Sequence, residues 1–142
     1  MTVPTQADYT NLLRFRTALR RFDSWSHEQA ADVGLTHAQH QLLLAVKGHP
    51  DAAGPTIRDV ADYLNVRHHS AVGLVDRVAA AGLVRRRRDA EDGRVVRLEL
   101  TATGEDRIAR LSALHLAELA RLAPLLDHLV GNAAERPGLS SP

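Results

Sequence analysis

Thr56-Ile57-Arg58-Asp59-Val60-Ala61-Asp62-Tyr63-Leu64-Asn65-Val66-Arg67-His68-His69-Ser70-Ala71-Val72-Gly73-Leu74-Val75-Asp76-Arg77-Val78 is the stretch that decides the fold. A threonine with an acid three residues later marks the start of a helix, because each can satisfy a free backbone N–H of the other's turn. Pro55 just upstream disfavours helix on that side. Leu64-Asn65-Val66 interrupts the pattern, and helical spacing resumes from Arg67 until Gly82 caps the second helix. Two short helices joined by so tight a turn match a helix-turn-helix, whose second helix enters the DNA major groove.

Working outward, Leu83-Val84-Arg85-Arg86-Arg87-Arg88 and Arg94-Val95-Val96-Arg97-Leu98-Glu99-Leu100 read as two strands. Asp92-Gly93 between them is a hairpin-turn pair. A hairpin after the recognition helix makes the "wing" of a winged helix-turn-helix. The expected fold is mainly α with a small β-hairpin wing, carried between long N- and C-terminal helices.

The chain from Leu64 to Gly104, with Leu74-Val75-Asp76-Arg77, Gly82-Leu83-Val84, Asp92-Gly93-Arg94 and Leu100-Thr101 in this order and spacing, resembles the MarR family of bacterial transcriptional regulators. The similarity extends upstream through Gly34-Leu35-Thr36 and Gln39, and covers roughly residues 9 to 130. The resemblance implies a homodimer on a pseudo-palindromic operator, usually released by a small effector, with the terminal helices forming the dimer interface. It also places the family's Asp-x-Arg wing pattern on Asp92-Gly93-Arg94.

Bulk composition agrees. A chain of 142 residues with 44% hydrophobic and 25% charged residues is one ordinary globular domain with room for a core. No apolar run approaches the ~20 residues of a membrane span, and residues 1–8 lack the basic start and apolar core of a secretory signal, so a cytoplasmic protein is expected. With no cysteine, disulfides, thiolate catalysis and thiol-based peroxide sensing are excluded. Net charge is only +1, yet Arg67 to Arg97 holds eight arginines against four acids, a local excess of +4 that leaves −3 on the rest. Such polarisation is the footprint of phosphate binding. A solvated charged face is the plain alternative.

The remainder reads as scaffold. Asp8 is placed to cap a first helix with Leu12, Phe15, Leu19 and Phe22 on one face, ending at Gly34. Thr36 and Gln39 form a capping box for a second helix that runs to about Lys47. After the wing, Thr101 or Thr103 caps a last long helix bearing Leu111, Leu114, Leu119, Leu122, Leu125, Leu126 and Leu129, which Pro124 is expected to kink or split. The dimerisation helices are thus expected at about 9–33 and 103–130, the winged region at about 36–101, and a disordered tail at 131–142. Apolar faces on two helices outside a compact winged module need a partner, and a second copy is the simplest one.

Ala71, Leu74, Val75 and Val78 should face inward, which turns His69, Ser70, Gly73, Asp76 and Arg77 outward and leaves Arg67 and His68 at the N-terminal end. Arg67, His68, His69, Ser70, Gly73 and Arg77 are therefore the expected DNA-reading residues. Gly73 costs ~1 kcal/mol relative to alanine in a helix interior. Either its backbone approaches DNA closely or the site merely tolerates it. Alternation lets only some of the four consecutive wing arginines face DNA, with Arg86 and Arg88 chosen. Arg94 should enter the minor groove, where narrow grooves concentrate negative potential. Asp89 or Asp92 should orient it, and Asp92 joins the DNA-binding set.

Trp25 and His40 are expected to border an effector site suited to an apolar ligand with one polar or acidic group, although core packing is the simpler reading of both. Adjacent His68 and His69 diverge by ~100° on a helix and chelate poorly. His37 and His40 could share a face for zinc, but no further ligand is evident, so no metal and no cofactor is expected. No serine, histidine or carboxylate grouping matches a catalytic motif, so an enzyme is not expected. The sequence reads as a homodimeric repressor of a double-stranded DNA operator. An effector-independent architectural DNA-binding protein, and less favourably a metal-sensing regulator, are the alternatives.

Overall fold

The computed structural model describes residues 3–134. Its elements run α1 (Gln6–Asp32), α2 (His37–Gly48), α3 (Ile57–Leu64), α4 (His68–Ala80), β1 (Val84–Arg88), β2 (Val96–Leu100) and α5 (Ala102–Ala134). No helix among the described residues is long and apolar enough to cross a membrane. The described residues divide into two compact units, 29–112 and 3–28 with 113–134.

The 29–112 unit is a winged helix-turn-helix. Capping boxes open two of its helices: Thr36 and Gln39 exchange hydrogen bonds of 3.0 and 3.1 Å at α2, and Thr56 and Asp59 exchange bonds of 2.9 and 3.1 Å at α3. Asn65 closes α3 in the left-handed region at φ 52°, a conformation asparagine tolerates, and so turns the chain into α4. Gly82, at φ +76°, follows the end of α4 and sends the chain into β1.

β1 and β2 pair antiparallel, with Val84 opposite Leu100 and Arg86 opposite Leu98. The core joins Leu42, Leu43, Val60, Leu74, Val75, Val78, Leu83, Leu98, Ile108 and Leu111. Each of its fully buried leucines contributes about 1.5–3 kcal/mol by leaving water.

Two glycines bring backbone against backbone beside the hairpin. A side-chain carbon on Gly54, at φ +88°, would lie 2.4 Å from the Leu98 carbonyl oxygen, and one on Gly104 would lie 2.1 Å from that of Leu83. These approaches let Leu98 donate its N–H to Pro55 O at 2.8 Å and Thr101 its N–H to Leu83 O at 3.0 Å. Thr101 caps α5, since its hydroxyl accepts from Gly104 N at 3.1 Å.

The other unit pairs the first part of α1 with the later part of α5. Its interior holds Ser26 and Leu129, together with the half-buried rings of Phe22, Trp25 and His115. Ser26 Oγ and His115 Nε2 share a hydrogen bond of 2.7 Å. Leu12, Leu13, Leu19, Leu114, Leu116, Leu119 and Leu125 stay exposed.

Several expectations are corrected. Thr5, not Asp8, opens α1: the Asp8 N–H donates to Thr5 Oγ1 at 3.3 Å, and the Asp8 carboxylate accepts from Thr5 N in return. The acid is the third residue of the box rather than the cap. Pro124 does not split α5. The helix also continues past Gly131 to Ala134, where two alanines favour it, so residues 131–134 are not tail. The rest of the expected tail lies outside the described residues. Finally, Asp92-Gly93 does not form a two-residue hairpin turn. The loop runs from Asp89 to Val95, with Asp92 and Val95 closing a four-residue turn through Val95 N–H to Asp92 O at 3.0 Å.

Candidate nucleic-acid interface

Helix α4 buries Ala71, Leu74, Val75 and Val78 and turns its opposite face to solvent. Arg67, His68, His69, Ser70, Asp76 and Arg77 are all exposed, and Gly73 is half-exposed among them. The residues expected from the helical period to share one face therefore do so. Arg67 precedes the helix without a side-chain cap, which leaves the first N–H groups of α4 free of side-chain acceptors from that position.

Strand register divides the wing arginines. Arg86 and Arg88 share a hairpin face with Val84 and Leu98, and Arg85 and Arg87 share the other with Glu99 and Arg97. On the first face, Arg86 Nη2 bonds Asp76 Oδ1 of α4 at 2.5 Å, and Arg88 Nη1 donates to Gly93 O at 3.2 Å. On the second face, Arg85 and Arg87 both donate to Glu99, at 2.6 and 3.3 Å. The Arg85 guanidinium is the main reason the Glu99 carboxyl titrates below its usual range.

The wing loop is organised by two aspartates. The Asp89 carboxylate accepts from the backbone N–H groups of Asp92 and Glu91, at 3.0 and 2.9 Å, and from Arg97 Nε at 3.0 Å. These bonds, the Asp92 N–H first, hold Asp89 below the ordinary carboxylate value. Asp92 accepts from Arg94 Nε and Nη2, at 3.1 and 3.3 Å, and from the Arg94 backbone N–H. The Arg94 side chain is the largest cause of its lowered pKa. Arg94 is thus gripped by Asp92, not Asp89, while its side chain is 92% exposed.

Two arginines that the sequence left unassigned serve the scaffold. Arg97 donates to Gly54 O at 3.1 Å as well as to Asp89, and Arg87 donates to Ala53 O at 2.5 Å. Both therefore tie the 51–55 loop to the hairpin. The separations of 43 and 34 residues gave the sequence no sign of either contact.

Trp25 and His40 fall in different units. Trp25 packs on Phe22 and His115, with ring centroids 5.8 and 4.8 Å away, and His40 is buried in the winged unit. His115 is the neighbour of Trp25 that sequence reasoning missed, and its place on the last helix offered no local pattern to find it.

The class that this fold defines is the winged helix-turn-helix. Residues 33–95 match the model of the MarR family. A MarR family protein from Bacillus stearothermophilus is 25% identical, with 99% of this chain and 86% of that one covered at a TM-score of 0.69. The YusO protein of Bacillus subtilis is 20% identical, with 96% and 100% covered at a TM-score of 0.67. A variant of MepR from Staphylococcus aureus, solved bound to an oligodeoxyribonucleotide, is 18% identical, with 89% and 94% covered at a TM-score of 0.65. Among curated proteins nothing matches.

Proposed function

We propose that this chain is a cytoplasmic, homodimeric transcriptional repressor that binds a pseudo-palindromic operator in double-stranded DNA and releases it when a small organic effector binds. The observation that carries the reading is the solvent-facing side of α4, with Arg67, His68, His69, Ser70, Gly73 and Arg77 set beside a wing that presents Arg86, Arg88 and the Asp92–Arg94 pair. The α4 residues read base edges in the major groove, and Arg94 enters the minor groove. The MepR variant bound to an oligodeoxyribonucleotide supports the same use of the fold.

Dimerisation is supported by the exposed leucines of α1 and α5, whose apolar faces a second copy would cover. Two half-sites read by two α4 helices would then lie ~34 Å apart. The effector would be an apolar molecule with one polar or acidic group, and would favour a dimer with its recognition helices out of that spacing.

The deciding experiment is selection of bound DNA from a random pool, followed by titration of the winning site at several salt concentrations. A palindromic site with a steep salt slope is expected. Thermal shift with phenolic and carboxylate compounds then finds the effector, because a ligand of the native state raises stability. A site without any stabilising compound would instead mean effector-independent architectural binding.

A further inference from the structure

We infer that Gly73 is a notch in the recognition helix that receives the methyl group of a thymine in each operator half-site. The inference rests on the proposed DNA-binding role of α4 and names what that surface reads at its centre.

Gly73 lies mid-way along α4, with His69 and Ser70 on the preceding turn of its face and Asp76 and Arg77 on the following one. All four neighbours are exposed. A glycine inside a helix weakens it relative to alanine, so something should require its presence. Nothing among the described residues does. The backbone there has no positive φ, and a side-chain carbon would meet only Arg77 Nη1, at an ordinary contact distance of 3.5 Å. Gly54 and Gly104 differ in this respect, since backbone oxygens lie 2.4 and 2.1 Å from their missing carbons. Alanine would fit at 73 and would make a better helix, so no contact among the described residues accounts for the glycine.

The surroundings indicate what approaches. Asp76 is drawn toward the wing by Arg86, and Arg77 Nη1 borders Gly73, whose own surface is bare backbone. A surface without a side chain offers no hydrogen bond that could tell base edges apart. It does offer room and an apolar contact. In the major groove, the thymine C5-methyl is the protruding apolar group.

The test is a bump-and-hole comparison between Gly73→Ala and the wild type on the operator selected by the wild-type protein. Gly73→Ala is expected to raise the melting temperature by roughly 2–5 °C and to weaken operator binding roughly tenfold. Replacing thymines one at a time by deoxyuridine removes single methyl groups. At one position in each half-site this should weaken wild-type binding and restore binding by Gly73→Ala. Unchanged operator affinity in the stabilised variant, or a loss that no deoxyuridine restores, overturns the notch while leaving the regulator reading intact. A wild-type protein that selects no DNA sequence overturns both.

Discussion

Arg86 of β1 reaches Asp76 of α4 with Nη2 and Oδ1 2.5 Å apart, so an ion pair joins the wing to the exposed face of α4. Both side chains remain partly open to water, so the pair adds at most about 1 kcal/mol to stability. Its larger effect is on charge: the carboxylate neutralises an arginine that phosphate could otherwise use. Asp76→Asn should leave the melting temperature within a few degrees of wild type. It should raise affinity for unrelated DNA more than for the operator and steepen the salt dependence by about one counterion. Titration of both DNAs between 50 and 200 mM salt checks this. An unchanged ratio would place Asp76 outside the specificity balance.

Arg94 offers a contrast, because its partner Asp92 grips it while the side chain stays 92% exposed. Arg94→Ala should weaken operator binding by about 1–3 kcal/mol with little change in melting temperature. Arg94→Lys should recover only part of the loss, since an ammonium cannot reproduce the two-point geometry of a guanidinium. Full affinity in Arg94→Ala would remove the residue from the interface.

Arg97 should behave in the opposite way. Its guanidinium bonds both Asp89 and Gly54 O, and its side chain is only 21% exposed. Arg97→Ala should destabilise the winged unit by about 1–3 kcal/mol and speed hydrogen exchange in β1 and β2. The salt slope of DNA binding should stay as in wild type. A reduced slope with undiminished stability would mean that Arg97 contacts phosphate instead.

The wing loop should also loosen in acid. Asp89 and Asp92 are held below the ordinary carboxylate value, by the N–H groups and arginines described above. They bind protons less readily when folded than when unfolded. The stability they contribute is therefore complete above about pH 4 and is lost as pH falls through their folded values. Amide signals of residues 89–95 should shift and broaden below about pH 4 while those of the core remain. In Asp89→Asn that loop should be loosened already at neutral pH. A loop indifferent to both changes would mean that other contacts hold it.

Leu119 tests the proposed dimer. It is 44% exposed on α5, where the proposed second copy would cover it. Leu119→Glu should convert a dimer into a monomer in sedimentation at micromolar concentration and should weaken operator binding more than any single phosphate contact does. A variant that remains dimeric would move the interface away from this face.

What the sequence revealed was mostly local. Thr36 with Gln39 and Thr56 with Asp59 are capping pairs three residues apart, so their geometry follows from the chain alone. The inward set Ala71, Leu74, Val75 and Val78 follows from one helical period. The wing loop was misplaced because Asp89 and Asp92 bond neighbouring N–H groups and stabilise a longer loop than Asp92-Gly93 alone would make. The assignment of Arg85 to Arg88 needed the strand register, and the structural work of Arg97 needed Gly54 to be brought across 43 positions. The Ser26–His115 bond spans 89 positions and had no local signature.

Gly54 and Gly104 carry a consequence for how related chains diverge. Neither has room for a methyl group, because the carbonyl oxygens of Leu98 and Leu83 already occupy it. In a library of every single substitution, both positions should reject all replacements as firmly as the residues proposed to read DNA. Selection screens that score only survival would rank them with the recognition surface. Survivors with a residue other than glycine at either place should carry a second change that moves the hairpin away, so these two sites set the path by which the wing can be reshaped.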